Sequence, residues 1–117
     1  MYNTIFDILF FIFCLILILN LIKFMKILMV CLGNICRSPL AEGIMKTKLS
    51  EEFFVDSAGT IDLHQGEHPD KRATATAKNH GVDISKQHSR PITTKDLEDF
   101  DRIYCMDLSN LEDVLSL

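Results

Sequence analysis

A short apolar run that ends in a cysteine and leads through a loop into a helix start constrains this fold most. Residues 26–30 are apolar after the first position, and they predict a buried strand that ends at Cys31. Gly33 lies in the loop, and Ser38 followed by Pro39 is typical of a helix start with Ser38 as the N-cap. A buried strand that passes directly into a helix indicates a parallel sheet.

The rest of the chain alternates in the same way. After a first helix to about residue 49, the sequence predicts a strand at 53–55 and a helix over roughly 70–79. An extended segment at 89–92 follows, and then a brief helix that ends at 98 and has Thr93 or Thr94 as its cap. The last predicted elements are a strand at 102–106 and a helix from 109. This order predicts an α/β fold, a three-layer open parallel sheet with helices on both faces. Ligands of such sheets bind at the carboxyl ends of strands, where Cys31 lies.

The first 24 residues differ from the remainder. They hold five of the eight phenylalanines, and residues 8–22 are apolar apart from Asn20. As a helix, residues 8–22 would span about 22 Å, whereas the hydrocarbon core of a bilayer is roughly 30 Å thick. The segment is therefore a marginal membrane span.

Two interpretations of this segment stay open. Lys23 and Lys26 follow it, and the positive-inside tendency would keep a domain behind a membrane anchor in the cytoplasm. Alternatively, residues 1–24 are upstream sequence in front of a cytoplasmic domain that starts at Met25. Both interpretations predict a hydrophobic leader over 1–24 and one domain over 25–117.

Composition excludes several classes of function. The 117 residues carry 12 basic and 16 acidic side chains, a net charge of −4, which argues against a nucleic-acid partner. The four cysteines and four histidines show no paired spacing typical of metal ligands. No glycine-rich nucleotide motif occurs. We therefore expect neither a metal nor a cofactor.

The loop after the first strand carries the chemistry. Cys31 and Arg37 lie six positions apart, and Gly33 and Asn34 permit the positive φ that lets the loop curl. Inward-turned backbone N–H groups and a helix N-terminus bind anions, and arginine can hold two oxyanion oxygens at once. The same surroundings favour a thiolate at Cys31, an in-line nucleophile toward bound phosphate that Ser38 can hydrogen-bond.

Residues 30–39, Val-Cys-Leu-Gly-Asn-Ile-Cys-Arg-Ser-Pro, closely resemble the signature of the low molecular weight protein tyrosine phosphatases. The likeness continues through residues 56–60, 69–73, 80–83 and 100–107. It covers residues 25–117, and residues 1–24 have no counterpart in the family pattern.

The resemblance implies hydrolysis of phosphotyrosine in a protein substrate through a cysteinyl-phosphate intermediate. Cys31 would be the nucleophile and Arg37 the phosphate clamp. The residues that would bind the substrate are Leu32, Gly33, Asn34, Ile35, Cys36 and Ser38.

The resemblance also implies supporting roles. Asn34 would hold the strained loop, with Ser38, Ser57 and His80 as its hydrogen-bonding partners. Cys36 would form a reversible disulfide with Cys31 under oxidant, although it could also be a small residue tucked under the loop.

Two positions bear on the substrate. Ile35 matches the phosphotyrosine-type members, whereas relatives that act on phosphoarginine have a threonine there. Leu63 stands where many members have an aromatic pocket wall, and His64 could border the pocket.

One feature of the family pattern is missing. The family's general acid lies in an Asp-Pro loop, and no Asp-Pro follows the strand at 102–106, so we expect a domain that is incomplete at its C-terminus. Asp107 could substitute as the acid, but a role as a helix cap or loop anchor is favoured.

Two other functions stay open. An arsenate reductase on a similar scaffold would need relay cysteines, and only Cys105 follows the loop. The other is a phosphate-binding remnant without turnover.

Overall fold

The computed structural model describes residues 4–21 and 24–117. The elements are α1 (Thr4–Leu21), β1 (Met25–Cys31), α2 (Arg37–Lys48), β2 (Phe53–Gly59), α3 (Lys71–Asn79), α4 (Thr94–Asp99), β3 (Arg102–Cys105) and α5 (Leu108–Leu115). The inference drawn from Lys23 falls outside the described residues.

The three strands form one parallel sheet in the order β2-β1-β3. Strand β1 pairs with β2 along its full length, from Met25 opposite Phe53 to Cys31 opposite Gly59. An isolated parallel bridge joins Gly59 to Pro91 within the predicted extended segment. Cys31 therefore ends the central strand, with a neighbour on each side of that strand.

Alternate residues of β1 point to opposite faces of the sheet, as the two-residue period of a strand requires. Leu28 and Val30 pack on one face with Val114 of α5. Ile27 and Met29 pack on the other face against residues of α2. The prediction of helices on both faces of an open parallel sheet is confirmed.

The predicted start of α2 is wrong by two positions. The helix begins at Arg37, and Cys36 occupies the N-cap without a side-chain cap bond. Ser38 lies inside the helix because its hydroxyl is used by the loop residues Cys31 and Asn34. The loop thus takes the side chain that would otherwise cap the helix.

The apolar side chains of α1 are exposed along the described part of the helix. In the ranges 4–21 and 24–117, no helix is long and apolar enough to cross a membrane.

Candidate active site

The sulfur of Cys31 lies at the carboxyl end of the central strand, and the residue is only 3% exposed. The backbone N–H of Asn34 donates to Sγ at 3.2 Å, and the Ser38 hydroxyl lies 3.0 Å from the same atom. Two hydrogen-bonding groups from the loop and from the first turn of α2 thus meet at this sulfur. Such donors stabilise a thiolate more than a neutral thiol, because hydrogen bonds to an ionised acceptor are the stronger ones.

Asn34 determines the shape of the loop. It has a φ of +54°, the only positive value at a non-glycine position among the described residues, and it is 1% exposed. Its amide nitrogen donates to the hydroxyls of Ser38 at 2.8 Å and Ser57 at 2.9 Å, and its oxygen accepts from the Arg90 backbone N–H at 3.0 Å. These three bonds hold a backbone conformation that few side chains tolerate.

The structure does not bring His80 to this group, so that part of the expectation is corrected. His80 lies exposed at the C-cap of α3, where its Nδ1 contacts the Thr76 carbonyl at 2.9 Å. The amide oxygen of Asn34 is occupied by the backbone of Arg90 instead. The His80 side chain therefore bonds the C-terminal end of α3 and not the loop.

Sequence reasoning missed a buried carboxylate beside the loop. Glu42 in α2 is 4% exposed, and it accepts a hydrogen bond from the Ser57 hydroxyl at 2.6 Å. Lys46 donates to the other carboxylate oxygen at 2.5 Å. A Glu and a Lys four positions apart on a predicted helix indicate an ion pair, but the spacing alone does not indicate that the glutamate is buried.

A second unpredicted group supports the loop from the segment before α4. The Ser89 hydroxyl donates to the Gly33 carbonyl at 3.0 Å. The Arg90 guanidinium lies 2.9 Å from carboxylate oxygens of both Asp56 and Asp96. Burial by itself lowers the pKa of Arg90, but the bonds to Asp96 and Asp56 outweigh burial and leave that pKa above its ordinary value. The fixed side chain holds the Arg90 backbone N–H toward Asn34.

Arg37 begins α2, and its side chain is about half exposed. Its Nη1 donates to the Asp107 carboxylate at 2.6 Å, a bond that raises the pKa of Arg37 and lowers the pKa of Asp107. Asp107 also caps α5 by accepting from the Asn110 backbone N–H at 2.8 Å. Asp107 therefore has the contacts of a cap and loop anchor. A carboxyl group with a lowered pKa is a poor proton donor near neutral pH.

Two leucines, one in the loop and one later in the chain, are exposed. Leu63 is 72% exposed and Leu32 is also exposed. The ring of His64 lies over Gly33, so closely that a Cβ at Gly33 would come within 3.0 Å of its Cδ2. Cys36 is exposed rather than tucked under the loop, and the structure forms no disulfide from it.

Residues 4–21 and 24–117 contain no group of three or more His, Cys, Asp or Glu side chains placed to hold a metal ion. The site combines a buried cysteine at the end of a central parallel strand with a curled loop, a helix N-terminus and an arginine in its first turn. Such an arrangement can bind a phosphate and attack it with a nucleophile.

Comparison with known proteins places this site in a family. The model of the low molecular weight phosphotyrosine protein phosphatase family matches residues 26–117. The chain therefore belongs to that family. A human low molecular weight phosphotyrosine protein phosphatase is 45% identical over 94 residues, which cover 76% of this chain and 59% of the human protein. The chain thus spans about three fifths of the length of that relative.

Solved structures are similar over the same part. A protein tyrosine phosphatase from Entamoeba histolytica superposes with a TM-score of 0.75 at 42% identity, covering 79% of this chain and 62% of that one. An arginine phosphatase from Drosophila gives a TM-score of 0.72 at 36% identity, covering 79% of this chain and 60% of that one. The fold is shared by relatives described with different phosphorylated substrates.

Proposed function

We propose that this protein hydrolyses phosphotyrosine in protein substrates through a covalent intermediate on Cys31. The observation that carries the proposal is the sulfur of Cys31, buried between the Asn34 N–H at 3.2 Å and the Ser38 hydroxyl at 3.0 Å. A thiol needs such donors to react as a thiolate beside a bound anion. Family membership supports the same activity.

The reaction has two steps. The Cys31 thiolate attacks phosphorus, the S–P bond forms, and the bond from phosphorus to the tyrosine oxygen breaks, so that the phenolate leaves and takes a proton. Water then attacks phosphorus, the S–P bond breaks, and phosphate and the thiolate are released. Arg37 and the loop N–H groups hold the phosphoryl oxygens while charge develops on them. Ser38 stabilises the thiolate as it leaves in the second step.

Phosphotyrosine is preferred over the other substrates for two reasons. Ile35 matches the phosphotyrosine-type pattern rather than the threonine of the arginine phosphatases. Arsenate reduction needs a second reactive thiol, and burial together with the charge of Asp107 raises the pKa of Cys105. A thiol with a raised pKa attacks a disulfide slowly near neutral pH.

The test uses the full chain with three substrates: p-nitrophenyl phosphate, a phosphotyrosine peptide and a phosphoarginine peptide. Cys31→Ser should abolish turnover of the first two, whereas the matched control Cys14→Ser should leave it unchanged. Nitrophenolate leaves without a proton donor, but the tyrosine phenolate needs one for full speed. Because Asp107 is held ionised by Arg37, we expect the peptide to be the slower of the two substrates. Turnover that survives Cys31→Ser, or a faster rate on phosphoarginine, would contradict the proposal.

We also propose that Cys36 protects the nucleophile. Hydrogen peroxide would oxidise the Cys31 thiolate to a sulfenic acid with loss of hydroxide, and the Cys36 thiolate would then attack the Cys31 sulfur and displace hydroxide, which takes a proton to give water, to form the disulfide. Inactivation by peroxide should be reversed by dithiothreitol in the wild-type protein and should become largely irreversible in Cys36→Ser. Equal recovery of the two proteins would contradict this role.

We place the domain in the cytoplasm. All four cysteines are free in the structure, and a nucleophilic thiolate persists in a reducing compartment. Fractionation of cells that express the full chain tests this placement, and recovery in a secreted fraction would contradict it.

A further inference from the structure

An unbroken chain of hydrogen bonds leads from the catalytic sulfur to a buried carboxylate in α2. Cys31 Sγ contacts the Ser38 hydroxyl at 3.0 Å, and that hydroxyl accepts from the Asn34 amide at 2.8 Å. The same amide donates to the Ser57 hydroxyl at 2.9 Å, and Ser57 contacts Glu42 at 2.6 Å. Ser38, Asn34, Ser57 and Glu42 are all buried, so the protein rather than solvent determines how these groups are paired.

The Glu42 carboxylate and the Arg90 backbone N–H, which donates to the Asn34 amide oxygen, together determine the directions of the bonds in this chain. An ionised carboxylate can only accept, so the hydroxyl hydrogen of Ser57 must point to Glu42. The oxygen of Ser57 then faces the Asn34 amide as an acceptor, and Ser38 receives the second amide hydrogen. The Ser38 hydrogen is left for the sulfur at 3.0 Å, because its other acceptor, the Ala58 carbonyl, is at the longer distance of 3.5 Å. The thiolate thus receives a donor.

Lys46 completes the arrangement from the surface. The Lys46 side chain is 53% exposed, and its ammonium group bonds one oxygen of Glu42, while Ser57 bonds the other. The pair is neutral as a whole, so its field at the sulfur is that of a dipole rather than of a charge. Glu42 affects the Cys31 thiolate in two opposite ways. The oriented hydrogen bonds favour the thiolate, whereas an unpaired negative charge near the sulfur would disfavour it.

We propose that Glu42, held by Lys46, is a positioning residue that orients the Ser57–Asn34–Ser38 hydrogen bonds so that Ser38 donates to the Cys31 thiolate. The inference rests on the proposed function of Cys31 as the nucleophile. It assigns a role in reactivity to an ion pair that lies outside the phosphate-binding loop.

Glu42→Gln tests the direction of the bonds. Lys46 can only donate, so it takes the single amide oxygen and leaves the amide NH₂ facing Ser57, which reverses that bond. The double variant Glu42→Gln with Lys46→Met frees the amide to present its oxygen to Ser57 again. The matched controls are Glu51→Gln and Lys48→Met, both at exposed positions.

The measurement is the rate at which iodoacetamide alkylates Cys31, followed by peptide mass spectrometry from pH 5 to 9. We expect Glu42→Gln to slow alkylation at pH 6 by about tenfold and to move the midpoint of the curve to higher pH. The double variant should recover to within about threefold of wild type. Unchanged or faster alkylation in Glu42→Gln would overturn the proposal, since the charge effect would then dominate.

If circular dichroism shows that Glu42→Gln does not fold, a double-mutant cycle of Lys46→Met and Ser57→Ala tests the proposal instead. Lys46→Met should slow alkylation more in the wild-type background than in Ser57→Ala, where the hydrogen-bond chain is already broken and only the unpaired negative charge of Glu42 acts on the thiolate. An equal effect in both backgrounds would overturn it. Alkylation needs no turnover, so failure of the proposed function appears separately as a wild-type protein that does not hydrolyse p-nitrophenyl phosphate.

Discussion

Replacing Asn34 by alanine or by glycine separates the two contributions that this residue makes to the loop. Alanine removes the three side-chain hydrogen bonds and keeps a Cβ at a φ of +54°. Glycine removes the same bonds but tolerates the positive φ. The two variants therefore differ chiefly in backbone strain.

The expected magnitudes follow from these contacts. Each buried hydrogen bond is worth about 1 kcal/mol, so the loss of three bonds costs about 3 kcal/mol. A left-handed conformation costs a residue with a Cβ roughly 1 kcal/mol more than it costs asparagine. We expect Asn34→Ala to lower the free energy of unfolding by about 4 kcal/mol and Asn34→Gly by about 3 kcal/mol.

Urea unfolding monitored by circular dichroism measures both values. Asn79→Ala, at the exposed end of α3, is the control and should change stability by less than about 0.5 kcal/mol. A loss below about 1 kcal/mol in Asn34→Ala would refute the inferred contribution of the three bonds. A glycine variant less stable than the alanine variant would refute the inferred strain.

Three further predictions concern residues around the loop. Burial by itself raises the pKa of Asp96, but hydrogen bonds from Arg90 and Thr93 leave that pKa below its ordinary value. As the pH falls, the Asp96 carboxylate is therefore protonated in the unfolded chain before it is protonated in the folded chain, and the free energy of unfolding falls below about pH 4. Urea titrations should show a smaller fall in Arg90→Met. Asp107→Asn keeps a helix cap but removes the negative charge that pairs with Arg37, so inhibition by inorganic phosphate should change less than about fivefold. A larger change would mean that Asp107 meets the bound phosphate. At Gly59 a Cβ would lie 2.7 Å from the Leu32 carbonyl oxygen, so Gly59→Ala should cost about 1–3 kcal/mol, and an unchanged melting temperature would contradict this clash.

The parts of the fold that depend on local pattern could be predicted from the sequence. The apolar run at 26–30 indicates the central strand because a strand buried on both faces has little room for polar residues. The spacing of Cys31 and Arg37 indicates the anion site because both lie within one loop and the helix turn that follows it. Neither inference needs knowledge of distant contacts.

The residues missed are those whose partners are distant in sequence. Arg90 donates to Asn34 across 56 positions, and Ser57 meets Glu42 across 15. Nothing near Arg90 in the sequence indicates that its backbone N–H meets a loop amide. The Ser-Pro pair predicts that Ser38 is a helix cap, but the Ser38 hydroxyl bonds Cys31 and Asn34 instead. His80 is the opposite case: a distant contact with the loop is expected for it, but its ring bonds the Thr76 carbonyl at the end of its own helix.

Trapping the phosphorylated protein tests directly whether Cys31 is the nucleophile. The full chain is mixed with p-nitrophenyl phosphate, quenched in acid within milliseconds, digested and analysed by mass spectrometry. We expect one phosphoryl group on the peptide that contains Cys31, present in wild type and in Cys14→Ser but absent from Cys31→Ser. Phosphate on another residue, or steady hydrolysis with no phosphorylated Cys31 at any quench time, would contradict it.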